Sequence, residues 1–150
     1  MNSEHALTKA AVTKIILDSY AQNPFVALCG IKFVDIECGQ AKLSMHIEQE
    51  KHTNMYSVVH GGALASLADT ALGTACASTG ARIVTVDYSI NFLKNIHAGD
   101  TATAIAQVLQ RGHKVIVVDV ATYDSQHNLL TKMLGTAYIV GTFDEIPEKW

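Results

Sequence analysis

One central stretch of the chain decides its fold, and it reads GGALASLADTALGTACAS from Gly61 to Ser78. Its larger apolar residues recur at helical spacing, and most positions between them are Ala, Gly, Ser or Thr. Such small residues let neighbouring backbones approach closely. The stretch therefore predicts a long helix that is enclosed on several sides. The spaced apolar residues are Leu64, Leu67, Ala68, Ala71, Leu72 and Ala75.

After this helix the apolar period changes to two, which is typical of β-strands. The first strand-like run begins at Arg82, and alternation predicts that Val84, Val86, Tyr88, Ile90 and Phe92 share one face. Further runs cover 101–110, 114–123 and 129–140. Their connections are short, whereas parallel neighbours need a crossover of about a dozen residues. We therefore predict an antiparallel meander, and a tail over 142–150 that is frayed.

Before the central helix, residues 6–20 follow an imperfect helical period. Asn23 as N-cap, Pro24 at the first position and Gly30 past the end predict a second, short helix. Alternation over 31–37 and 41–48 predicts two strands, joined by a two-residue turn at Gly39-Gln40. A polar loop is expected over 49–57.

Length and composition set the class of protein. The 150 residues fit one domain, 1–150, whose first 30 residues form a helical segment. A net charge of −3 argues against nucleic-acid and membrane-surface partners, since both need a basic face. Three cysteines are too few for a disulfide framework, and no leader or spanning segment is found, so a cytoplasmic protein is expected.

One helix covers only one face of a sheet, which favours a second copy as partner.

Asp69 is the most unusual residue of the central helix. It has no Lys or Arg three or four residues away, and a carboxylate there is costly unless it is hydrogen-bonded. Either it faces solvent, or Thr70 or Thr74 binds it, or it serves a function.

Gly61-Gly62 opens the same helix. Backbone N–H groups at a helix N-terminus lack partners, so a carbonyl oxygen that develops negative charge could be bound there; an ordinary helix start is the alternative. Asp69 lies eight residues on, which is about 12 Å along the axis. One helix cannot bring both groups to one small ligand, so the ligand is long or two subunits contribute.

Asn54, the run His60-Gly61-Gly62 and Asp69, together with Thr85 and the turn at 111–114, resemble the hotdog-fold acyl-CoA thioesterases. Their phenylacetate-pathway branch is the most similar, and the resemblance covers about 31–140. It implies an α+β hotdog fold, in which a curved antiparallel sheet wraps around one long helix. It also implies homodimers that join edge to edge, often paired into homotetramers, with the active site between subunits.

The resemblance also implies roles for single residues. Asn54 would bind the attacking water or the carbonyl, and the Gly61 N–H would polarise the thioester oxygen. Asp69 of the partner subunit would act as general base or nucleophile, a choice that the sequence leaves open, and the Thr85 hydroxyl would help to place water. The implied substrate-binding set is His60, Gly62, Asp87, Phe92, Gln110, Arg111, Gly112, His113, Lys114 and Val115.

The substrate implied is an acyl-CoA, so coenzyme A belongs to the substrate and no cofactor or metal is expected. The sequence does not identify the acyl group, although Met55, Val58, Val59 and Leu64 are candidates to line its pocket. Relatives commonly have Gly where this chain has Ser57, which could alter the loop.

Other groups of residues suggest different sites and functions. His46, Glu48, Glu50 and His52 would share one face of an extended strand and include metal-ligand types, but the segment enters a polar loop. His60 could be a general base, although bracing the helix start is favoured. A non-catalytic acyl-CoA-binding hotdog protein and a hotdog hydratase are the alternative functions.

Overall fold

A computed structural model describes residues 7–150, which form four helices and six strands. The strands form one antiparallel sheet in the order β1-β2-β4-β5-β6-β3. The predicted start of the first helix, at residue 6, lies outside the described residues. The elements are α1 (Lys9–Tyr20), α2 (Pro24–Cys29), β1 (Ile31–Glu37), β2 (Gln40–His46), α3 (Gln49–His52), α4 (Gly61–Ala77), β3 (Ala81–Phe92), β4 (Thr101–Arg111), β5 (Val115–Tyr123) and β6 (Leu129–Thr142).

The long helix α4 lies in the concave face of this curved sheet and contacts all six strands. Every residue of its predicted apolar stripe is buried. Gly135 of β6 lies directly beneath Leu72, and a side chain at that glycine would collide with the leucine. The hotdog fold is therefore confirmed, with the helix seated where a strand glycine makes room.

The short helix α2 forms as predicted. The Asn23 side chain accepts hydrogen bonds from the N–H groups of Phe25 and Val26, and Gly30 ends the helix with φ +71°. The predicted turn between β1 and β2 is wrong by one residue. Glu37 pairs with Gln40, so the turn is Cys38-Gly39, and Gly39 supplies the positive φ of 76° that it requires.

The predicted polar loop over 49–57 is partly wrong, because its first turn is the helix α3. His52 at its end is buried, with Nδ1 accepting the Glu48 N–H at 2.9 Å and Nε2 lying 2.8 Å from the Cys29 carbonyl oxygen. The pairing fixes the neutral tautomer that carries its proton on Nε2. This histidine ties the loop that leads to α4 onto α2.

The predicted face of β3 is also wrong, because the strand contains a β-bulge. Thr85 pairs with Ala137 and Asp87 with Thr136, so Val86 has no opposite residue. The extra residue reverses the alternation: Ile83 before it and Ile90 after it both pack on the core. Val84 therefore lies on the outer face, opposite to Ile90 rather than beside it.

The tail is not frayed, contrary to the prediction. The Phe143 N–H binds the Gly80 carbonyl, Ile146 is buried, and the Trp150 indole donates to the Ser78 carbonyl at 2.7 Å. Arg111 adds an ion pair with Glu148 at 2.7 Å. The tail thus packs over the C-terminal end of α4 and joins a second apolar cluster with α1.

Replacing Ile146 with alanine tests this packing. We expect a loss of about 2–4 kcal/mol in the free energy of unfolding, because a buried isoleucine leaves a cavity behind. Urea denaturation measures it, with the exposed Glu145→Ala as the matched control. Equal stability of the two variants would mean that the tail is frayed after all.

The sheet has an exposed edge and an exposed apolar face. β3 forms one edge of the sheet, with twelve residues and no further strand beside it in the described chain. The outer face of β3 and β6 exposes several large apolar side chains: Val84, Val86, Leu134, Tyr138 and Val140. None of the helices described is long and apolar enough to cross a membrane.

Candidate active site

Asp69 is half-buried on α4 and accepts a hydrogen bond from the Thr85 hydroxyl at 2.8 Å. The two local partners that the sequence offered are engaged elsewhere: Thr70 donates to the Ser66 carbonyl, and Thr74 donates to the Thr70 carbonyl. Thr85 reaches the acid because it precedes the bulge and so faces inward. The carboxylate therefore accepts one hydrogen bond from β3, the edge strand, and its other lone pairs can accept a second.

At the start of α4, the N–H groups of Gly61 and Gly62 differ in their hydrogen bonding. His60 is the N-cap residue, and its Nδ1 accepts the Gly62 N–H at 2.9 Å. The Gly61 N–H has no acceptor among the described residues. His60 thus braces the helix start, and one backbone donor is left for a ligand.

Phe92 packs against Gly61, since a Cβ on this glycine would be 3.1 Å from the Phe92 ring. The added atom would crowd the phenyl group, so glycine at this position lets the ring approach the helix start. A cavity of about 290 Å³ opens beside it, lined mainly by apolar side chains that include Val58, Val59 and Leu64.

Asn54 shapes the loop before α4. Its Oδ1 accepts hydrogen bonds from the N–H groups of Tyr56 at 2.9 Å and Val58 at 3.2 Å. These donors fix the orientation of the amide, so that Nδ2 is the group available to a carbonyl or water oxygen. Met55 and Tyr56, which follow Asn54 in this loop, are exposed.

Ser57 lies in the same loop with φ +59°, a left-handed conformation that favours glycine. A glycine at this position would adopt this φ without strain. Ser57→Gly is expected to raise the free energy of unfolding by about 0.5–1 kcal/mol, because it removes the strain of the side chain. Thermal unfolding checks this against Tyr56→Gly, whose φ is not positive and whose added freedom should destabilise the loop. A matching loss in both variants would contradict the prediction.

The structure does not bring Asp69 and Gly61 of one chain together. Both lie on α4, and eight residues of helix separate them by about 12 Å along its axis. Phe92, from the predicted binding set, lies at Gly61, whereas Asp87 is exposed and pairs with Thr136. Each chain thus keeps these two candidate groups, which we call half-sites, apart on one helix.

The predicted coenzyme-binding turn, residues 111–114, is separate from both Asp69 and Gly61. Arg111 is engaged within the chain: its Nε donates to the Thr79 hydroxyl at 3.2 Å, and its Nη1 donates to Glu148 at 2.7 Å. His113 and Lys114 are exposed. The remaining members of this predicted set, Gln110, Gly112 and Val115, surround them at the junction of β4 and β5.

The alternative metal set does not assemble. β2 ends at His46, which lies 3.3 Å from the Thr101 hydroxyl, and both ring nitrogens of the buried His52 are within hydrogen-bond distance of main-chain groups. Over residues 7–150 no three His, Cys, Asp or Glu side chains are grouped to hold a metal ion.

Sequence reasoning assigned no role to Tyr20, which the structure places near Asp69. A Cβ on Gly73, one helical turn after the acid, would lie 3.2 Å from the Tyr20 hydroxyl. No periodicity or motif indicates this contact, because it joins the end of α1 to a helix fifty residues later.

Known proteins are similar to this chain in sequence. The family model of the thioesterase superfamily matches residues 56–131. Acyl-coenzyme A thioesterase PaaI of Escherichia coli strain K12 is 33% identical over 122 residues, which are 81% of this chain and 86% of that protein.

Solved structures agree in fold. The E. coli PaaI protein superposes with a TM-score of 0.84 at 30% identity, covering 89% of this chain and 96% of that chain. The Streptococcus mutans protein smu.793, solved bound to acetyl CoA, gives a TM-score of 0.72 at 28% identity, covering 75% and 90%. From the family match and the relatives together, the chain belongs to the thioesterase superfamily.

Proposed function

We propose that this protein is an acyl-CoA thioesterase, which hydrolyses a thioester to free coenzyme A and a carboxylic acid. One observation carries the proposal: the Thr85-bound carboxylate of Asp69 and the Gly61 N–H, which has no acceptor among residues 7–150, lie on one helix at a sheet edge. A carboxylate can activate the attacking water, and a backbone N–H can stabilise the oxyanion. The relative named acyl-coenzyme A thioesterase PaaI supports the choice of substrate class.

The two half-sites would meet in a homodimer joined through β3. Phe92, at the end of β3, lies beside Gly61, whereas the start of β3 follows the C-terminal end of α4. Antiparallel pairing of β3 with its copy therefore sets the end of one strand beside the start of the other. This arrangement brings Gly61 of the partner subunit toward Asp69 and supplies the missing half-site.

The exposed apolar face of β3 and β6 supports a further step to a homotetramer. Two of its side chains, Val84 and Tyr138, are paired across the two strands, and the exposed Val140 lies two residues further along β6. Patches of this kind mark association surfaces. We place the protein in the cytoplasm, where its three free cysteines stay reduced.

The chemistry follows from the groups. Water or the Asp69 carboxylate attacks the thioester carbon, and the carbonyl oxygen takes up negative charge. The Gly61 N–H of the partner subunit stabilises that oxygen, an effect of about 100- to 1,000-fold in rate for one such donor. Collapse of the tetrahedral intermediate breaks the carbon–sulfur bond and expels the thiolate of coenzyme A. If Asp69 is the nucleophile, water then hydrolyses the acyl–aspartate anhydride, which releases the carboxylic acid and restores the carboxylate. If Asp69 acts as base, it removes the proton of the attacking water, and Thr85 holds its carboxylate in place.

Asn54 and the basic turn complete the proposal. Asn54 Nδ2 is placed to donate to the carbonyl or the water, because its Oδ1 is used by the loop. His113 and Lys114 are free to contact coenzyme A phosphates, whereas Arg111 would first have to release Glu148. No step calls for a cofactor or a metal.

Release of thiol from a panel of acyl-CoAs tests this function. Steady turnover of at least one acyl-CoA is the expected result. Saturable binding without thiol release would favour a non-catalytic acyl-CoA-binding protein instead. Conversion of an enoyl-CoA without release of thiol would favour a hydratase.

A further inference from the structure

His52 lies where the ends of three helices meet. Its Nε2–H donates to the carbonyl of Cys29, the last residue of α2, and its Nδ1 accepts the N–H of Glu48, the residue before α3. Its own carbonyl accepts the N–H of His60, the N-cap of α4, at 2.8 Å. One buried residue therefore joins α2, α3 and α4 through three hydrogen bonds.

Residues 53–59, which we call the Asn54 loop, lie directly before the N-cap of α4. An isolated β-bridge between Thr53 and Val59 closes the base of this loop, and the Asn54 N–H donates to the Val58 carbonyl at 2.8 Å. The Asn54 side chain accepts two further bonds from N–H groups of the same loop. These bonds fix the internal shape of the loop, and its position against the rest of the chain needs an anchor outside it.

Burial identifies this anchor. Over residues 51–60, His52 and Val59 are the buried residues, and the other side chains are half-buried or exposed. Val59 packs in the main apolar cluster, and such contacts do not favour one direction. The His52 imidazole is 3% exposed, and both of its nitrogens make directional hydrogen bonds. It is therefore the group that can fix the orientation of the loop.

The two bonds of the imidazole ring differ in reach. The bond to Glu48 is local, because it closes the single turn of α3 onto itself. The bond to Cys29 joins residues 23 apart in sequence and connects the loop to α2. Carbonyl groups in the last turn of a helix lack partners within that helix, and the Nε2–H satisfies one of them. The bond to Cys29 is therefore the one that anchors the Asn54 loop.

We propose that His52 is a positioning residue for thioester hydrolysis, whose bond to the Cys29 carbonyl holds the Asn54 amide and the Gly61 N–H where the reacting carbonyl needs them. The inference rests on the proposed function, because it takes both groups as contacts of the reacting atoms. His52 lies two residues before Asn54, and its carbonyl binds the residue directly before Gly61. A shift of the loop would therefore displace both groups, and a displacement of about 1 Å can cost about 100-fold in rate.

Two amide side chains separate the two bonds of the ring. His52→Gln keeps an N–H donor near the position of Nε2, whereas His52→Asn keeps an acceptor oxygen near the position of Nδ1 and is too short to reach Cys29. We expect His52→Asn to lower kcat for acyl-CoA hydrolysis at least about tenfold, with KM within about twofold, because the displaced groups act in the transition state. His52→Gln should keep at least about a third of wild-type kcat, since it retains the anchoring bond.

The exposed His97 provides the matched control, and His97→Asn should change neither kcat nor KM. Rates are compared at a temperature at which unfolding curves show every variant folded. Amide hydrogen exchange followed by mass spectrometry gives a readout that does not depend on turnover. Exchange over 53–60 should be at least about tenfold faster in His52→Asn than in wild type, relative to 67–75 of α4, and close to wild type in His52→Gln.

The outcomes distinguish this proposal from the proposed function. If the wild-type protein turns over an acyl-CoA, normal kcat in His52→Asn or equal losses in His52→Asn and His52→Gln overturn the positioning role and leave the function standing. A rise in KM with unchanged kcat overturns it as well. If the wild-type protein hydrolyses no acyl-CoA, the proposed function fails and the catalytic part of this proposal fails with it, whereas the exchange measurement still decides whether His52 anchors the loop.

Discussion

Asp69→Ala should lose at least about a hundredfold in kcat for acyl-CoA hydrolysis while remaining folded and associated, as expected when a general base is removed. Within the described part of the chain, the carboxylate has a single donor, Thr85, and no ion pair to break. Alanine also has the better helix propensity, by roughly 0.5 kcal/mol. The melting temperature should therefore stay the same or rise as turnover disappears.

The control is Asp18→Ala, which removes an exposed carboxylate from α1 and should leave turnover intact. Mixing subunits gives a stricter test. Asp69→Ala and Asn54→Ala are each expected to be inactive, but subunit exchange between them creates dimers with one complete site and restores about a quarter of wild-type turnover. Near-normal activity of Asp69→Ala, or no recovery on mixing, would contradict the shared site.

Gly61→Pro is the second change with a large expected effect, because proline removes the backbone N–H without disturbing the helix. Gly61 is the first residue of α4, where proline is well tolerated. His60 before it has φ −68° and ψ 132°, the extended conformation that a residue preceding proline prefers. Loss of this donor should lower kcat by about 100- to 1,000-fold.

Gly61→Ala separates the donor from the added bulk. It introduces a Cβ against the Phe92 ring, as proline does, but keeps the N–H. Steady-state kinetics should therefore find alanine closer to wild type than to proline. Equal losses in the two variants would assign the effect to crowding of Phe92 and remove Gly61 from the proposed chemistry.

Local patterns predicted the parts of this fold that depend on local interactions. The α4 stripe and the caps of α2 are sequence-adjacent features, and both were read correctly from spacing and residue type. Asp69 stood out because it broke a rule of helix composition. The resemblance implied a role for Thr85 in placing water, but nothing in the sequence indicated its hydrogen bond to Asp69, since residue type gives no sign of which strand position faces the acid.

The errors have a common physical origin in long-range contacts. The bulge at Val86 is set by pairing with β6, and alternation alone gives no sign of an extra residue. Ile146 and Trp150 are isolated apolar residues in a polar tail, so their docking against α1 and Ser78 leaves no periodic signal. Likewise, the basic residues near 111 suggested a free turn, but Glu148 lies too far along the chain for its pairing with Arg111 to be foreseen.

The unpaired Val86 also determines whether β3, the edge strand, can accept an insertion or a deletion. Thr85 on one side and Ile90 on the other both turn toward α4 only because one additional residue stands between them. Deleting Val86 would give a regular ladder, yet it would rotate one half of the strand so that either the donor to the acid or the apolar contacts pointed outward. Homologues should therefore differ along β3 by substitutions and not by insertions or deletions.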